Sequence, residues 1–154
     1  ISPGWKAIGW VMSALGLLFL IFASINQIED KLGEKGVKIF KTIIVIKFVL
    51  FVSLIINPST SNFKLVQINS VVDIIGMALP LQFLNYRWHK SKGSLKIVAA
   101  IIYSIIPGII YSNQIAYSKW MNHHDVSHIL IALFMFLMFR GAFELSTHKS
   151  ESIK

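Results

Sequence analysis

The chain has 154 residues, of which 55% are hydrophobic and only 14% charged, with a mean hydropathy of +0.65. That balance excludes an ordinary water-soluble domain. The formal net charge of +8 does not point to nucleic acid, because the 15 Lys and Arg residues fall between long apolar runs and form no continuous basic face; a membrane accounts for both numbers. Cysteine is absent, which removes disulfides, zinc ribbons and thiol catalysis. Ile1-Ser2-Pro3-Gly4 carries neither the basic stretch nor the cleavage pattern of a signal peptide, and the chain is expected to lack its natural start.

A bilayer core of about 30 Å needs about 20 mostly apolar helical residues, and five such segments occur in order. The first runs from Ala7 to Ile25 and the second, short, from Thr42 to Ile56, where Lys41 and Lys47 can snorkel toward one end. Asn57-Pro58-Ser59-Thr60-Ser61-Asn62 is a turn-forming loop. The third segment runs from Leu65 to Tyr86, the fourth from Leu95 to Gln114 and the fifth from Asp125 to Phe143. Pro80 and Pro107 each remove a backbone donor inside a span, which predicts kinks near Leu79 and Ile106. Trp5, Trp10, Tyr86, Trp88, Tyr117 and Trp120 fall near the predicted ends, where an amphipathic ring sits at headgroup level. The fold class is therefore all-α: a polytopic membrane helix bundle over residues 1–144, followed by a polar, frayed tail over 145–154.

The basic residues set the orientation. Lys31, Lys35, Lys38 and Lys41 lie in the first loop, Arg87, Lys90, Lys92 and Lys96 in the third, and Arg140, Lys149 and Lys154 at the C-terminal side, 11 in all; Lys6, Lys64 and Lys119 lie opposite. The positive-inside rule then puts the C-terminus in the cytoplasm and the start of the fifth span outside. The basic loops serve as topology signals and anionic-lipid contacts.

The densest chemistry is Asn122-His123-His124-Asp125-Val126-Ser127-His128. His124 and His128, four apart, share one helical face and can offer two imidazoles to one metal ion, which is half of a zinc site. The plain alternative is a pair of interfacial histidines behind a cap made by Asn122 and Asp125. His123, about 100° away on the helical wheel, is a solvent residue or a neighbour of the ligands. Asp73 lies among apolar residues, where an unpaired carboxylate is expensive, so it requires a partner. It is a water-activating base, a support for a histidine ligand, a metal ligand, or a structural partner of Lys47, Asn69 or Ser70.

His124-Asp125-Val126-Ser127-His128, followed by the apolar Ile129-Leu130-Ile131-Ala132 of a last helix, resembles the HxxxH motif of the seven-span superfamily that contains the alkaline ceramidases and the progestin and adiponectin receptors. The resemblance implies a zinc ion held by His124 and His128, a third histidine from an earlier Ser-x-x-x-His helix, and an Asp nearby, here Asp73. This chain has no Ser-x-x-x-His helix, so the resemblance implies two helices before Ile1 and a bacterial relative rather than a true ceramidase. The implied activity is metal-dependent hydrolysis of a lipid amide, with membrane lipids as partners and an N-acyl lipid as substrate. A non-enzymatic, receptor-like binding protein remains the alternative. Haem is disfavoured because its two axial ligands sit on opposite faces of the ring, which one helical turn cannot supply, and no repeated half argues for transport.

Overall fold

The computed structural model describes residues 3–57, 59–118 and 120–151, with side chains for 6–57, 59–118 and 120–146. Pro58, Lys119 and Lys154, and the side chains of Trp5, His148 and Lys149, lie outside what is described. Among the described residues all regular structure is helical: α1 (Pro3–Gln27), α2 (Glu29–Ile56), α3 (Phe63–Val71), a π-helical turn (Val72–Ala78), α4 (Leu79–His89), α5 (Lys92–Tyr103), α6 (Ile105–Ser112) and α7 (His123–Glu151). These make five helical stretches long and apolar enough to cross a membrane, 6–27, 29–56, 63–89, 92–112 and 123–146. The chain divides into two compact units, residues 1–84 and 85–154.

In the first unit α1 and α2 form a hairpin joined at Ile28, and their buried residues recur every seven positions: Ala14, Ile21 and Ile28 on one side, Val37, Ile44 and Phe51 on the other. A heptad seam of this kind keeps one stripe facing the partner helix along its length. Ala14, Phe51, Ile55 and Val66 are the core, with Trp10, Val11 and Phe48 packed around them. The outward residues Ile39, Ile43, Ile46 and Leu50 are exposed and apolar, as a lipid-facing surface requires.

Two expectations change here. The second span is not short: helix begins at Glu29, and what the sequence suggests is a basic loop is helical, broken only at Gly33, whose φ of 67° divides α2 and is a conformation glycine adopts without strain. Nor does Lys47 snorkel to the helix end. Its ammonium turns inward, because a buried carboxylate on the third span lies within reach.

The third span runs through the π-helical turn. As far as Gln82 its buried residues, Val66, Asn69, Asp73, Ala78 and Gln82, are spaced by 3, 4, 5 and 4, and the gap of five falls inside the turn. In an uninterrupted α-helix Asp73 and Gln82, nine residues apart, would point about 180° apart; one extra residue removes about 100° of that and keeps both on the packed side. The break lies immediately before Leu79, where Pro80 lacks the donor for an α-type bond. The other predicted break is also present: α5 ends at Tyr103 and α6 restarts at Ile105, four and two residues before Pro107.

In the second unit α5 packs on α7 through Gly93 and Gly141. A Cβ at Gly141 would sit 2.6 Å from the Ile97 side chain and 2.9 Å from the Gly93 carbonyl oxygen, so the two backbones approach as only glycine permits. Leu145, one turn beyond Gly141, lies against Gly93, and α7 continues as helix to Glu151 instead of fraying after Glu144 as the polar tail suggests.

Candidate functional site

The start of α7 is fixed by its cap. Asn122 Oδ1 accepts from the backbone N–H of His124 (2.8 Å) and of Asp125 (3.3 Å), while Asp125 Oδ2 accepts from the Asn122 N–H (3.1 Å). This reciprocal arrangement satisfies donors that a helix N-terminus leaves open, and it is the cap that the sequence suggests for this pair. Ser127, 2% exposed, donates to the His124 carbonyl at 2.9 Å.

With the helix regular from His123, His124 and His128 lie one turn apart on one face, and both are exposed. Neither imidazole makes a hydrogen bond among the described residues. The rings that meet are different ones: His123, half-buried, stacks on His124 with centroids 4.1 Å apart, and the Tyr111 ring of α6 stands edge-on to both, at 5.8 Å and 5.3 Å. Tyr111 was invisible to pattern analysis, since a tyrosine near the end of an apolar span is expected at a membrane boundary and nothing in the sequence ties it to His123.

Zinc that performs hydrolysis takes three protein ligands and leaves one position open. Among the described residues no group of three or more His, Cys, Asp or Glu side chains is placed to hold a metal ion. His124 and His128 are two donors of the right chemistry, but the described residues do not complete a catalytic zinc site.

Asp73, in the first unit, has its own partners. Its Oδ1 takes the ammonium of Lys47 and its Oδ2 accepts from Asn69 Nδ2 at 2.9 Å; Lys47 also donates to Asn69 Oδ1 at 2.7 Å. Asp73 is 4% exposed and Asn69 8%. The three side chains close a ring of charge-assisted bonds, which is how a carboxylate is carried at membrane depth. Of the partners the sequence allows for Asp73, the structure selects Lys47 and Asn69. A cavity of about 10 Å³ beside them is lined by Ala14, Leu18, Ile44 and Phe48 together with the triad, room for about one water.

Two more buried polar groups escaped the sequence reading. Gln82, 1% exposed, donates to Ser24 Oγ at 2.8 Å and to Gln27 Oε1 at 3.0 Å, and its own Oε1 has no hydrogen-bond partner among the described residues. In the second unit Asn85 donates to Ser94 Oγ at 2.6 Å and pairs with His89 Nδ1 at 2.7 Å. The signal for both was the spacing of the amides along α4, obscured by the shift in register at the π-helical turn.

Residues 1–147 match the model of a family described as a family of unknown function, DUF6962, and the chain belongs to that family. No curated protein and no solved structure matches it.

Proposed function

We propose that this DUF6962 chain is an integral membrane protein acting on membrane lipids, with metal chemistry of the lipid-amide-hydrolase type seated at the head of α7 on His124 and His128. One observation carries the reading: the two imidazoles stand one turn apart behind a fixed cap, exposed and without hydrogen bonds among the described residues, so their nitrogen lone pairs are available to a cation. The third donor comes from outside the described residues. The basic-residue asymmetry orients this end of α7 outward and the C-terminus toward the cytoplasm.

The test is metal analysis of the full-length protein purified without chelator. Near-stoichiometric zinc that falls in His124→Ala and in His128→Ala, with helix content retained, supports the reading. Absence of zinc, or the same zinc content in both variants, refutes it.

The engagement of both Asp73 oxygens favours a second reading, in which the protein binds without catalysis and any metal serves structure. Release of fatty acid from N-acyl lipids separates the two. Turnover by the zinc-loaded protein that is lost with the metal in His124→Ala and His128→Ala supports the hydrolase; zinc bound with no turnover supports the binding protein.

A further inference from the structure

Late in α7 and early in α5, a groove of about 440 Å³ is lined by Lys96, Phe139, Arg140, Phe143 and Glu144. We infer that this groove is a binding site for one anionic phospholipid, with Arg140 holding the phosphodiester and Phe139 and Phe143 flanking an acyl chain.

Depth comes first. Arg140 lies 17 residues after His123, about 26 Å along the helix axis, close to the thickness of a hydrocarbon core counted from the opposite face. Lys96 is one turn from Lys92, where α5 begins. The two cations therefore stand at headgroup level on the side where α5 starts and α7 ends. Charge comes second. Lys96 is ion-paired with Glu144 at 2.5 Å, which neutralises both, whereas Arg140 is exposed and has no carboxylate partner among the described residues. The groove is left with one uncompensated guanidinium, whose planar fork suits two oxygens of a phosphodiester. Shape comes third. Phe139 and Phe143 are 64% and 59% exposed, with ring centroids 6.2 Å apart, and they border the groove on the same turn of α7 as Arg140 and Glu144. A soluble anion would use the guanidinium and leave both rings idle; a diacyl lipid uses the whole groove. The site is independent of any metal at the other end of α7.

The experiment is native mass spectrometry of the full-length protein released from detergent carrying equal amounts of phosphatidylglycerol and phosphatidylcholine with the same acyl chains. The wild type is expected to retain the anionic lipid about fivefold over the zwitterionic one, the factor expected of one unpaired cation near an anionic surface. Arg140→Gln should remove the preference, Arg140→Lys, which keeps the charge but loses the planar fork, should weaken it without removing it, and Arg87→Gln, which deletes an exposed cation outside the groove, should leave it unchanged. Far-UV circular dichroism of each variant verifies the fold. Equal retention of both lipids by the wild type, a preference that survives in Arg140→Gln, or an equal loss in Arg87→Gln would overturn the assignment.

Discussion

Substituting alanine for Gly141 adds one methyl group where α5 and α7 touch. The new Cβ would lie 2.6 Å from Ile97 Cγ1, 2.9 Å from the Gly93 carbonyl oxygen and 3.2 Å from the Ile97 backbone nitrogen. The first atom can rotate away; the other two are backbone of a facing helix and cannot. Relief requires the helices to part by roughly half an ångström or more, which weakens dispersion contacts along the crossing. Overpacking of this kind costs about 1–3 kcal/mol, and backbone obstruction places it toward the upper end. Against this, alanine gains about 1 kcal/mol over glycine in helix propensity. The clash wins, for a net loss of about 1–2 kcal/mol. Gly16→Ala supplies the control: nothing lies within 4 Å of its Cβ, so only the propensity term remains and that variant should match or exceed the wild type. Equilibrium unfolding in mixed micelles, followed by far-UV circular dichroism, measures both. If Gly141→Ala and Gly16→Ala unfold at the same denaturant fraction, the close crossing of α5 and α7 is wrong.

The Lys47–Asp73 pair predicts strong coupling. Lys47→Met and Asp73→Leu should each destabilise by about 3–5 kcal/mol by stranding the other charge, while the double variant recovers most of the loss; additive losses in a double-mutant cycle would contradict the ion pair. Asn122→Ala should cost about 1 kcal/mol and speed amide exchange in the first turn of α7, and Asn122→Asp should restore protection; unchanged exchange in Asn122→Ala would deny the cap. Because the chain contains no cysteine, single cysteines report topology without background. Asn113→Cys should label with a membrane-impermeant maleimide in intact cells, and Lys92→Cys only after lysis; the reverse pattern would invert the orientation.

What the sequence determined by itself is the solvent and the count. Five apolar segments and a basic asymmetry follow from hydrocarbon thickness and the cost of charge in it, and both are one-dimensional properties of a chain. The cap at Asn122 and the breaks near Pro80 and Pro107 were legible for the same reason: a helix terminus and a missing donor act on neighbours within a turn or two. The pairing of Lys47 with Asp73, 26 residues apart, was open among several partners, because the sequence states that a buried carboxylate needs a cation without stating which one arrives. Gly93 and Gly141, on different helices, formed no local motif. Only the tertiary structure decided that they meet, that the π-helical turn aligns Asp73 with Gln82, and that His124 faces His123 and Tyr111. The meeting of the glycines and of the rings depends on how one helix is rotated against another, and the alignment of Asp73 with Gln82 on the register within the third span; packing inside each unit sets both.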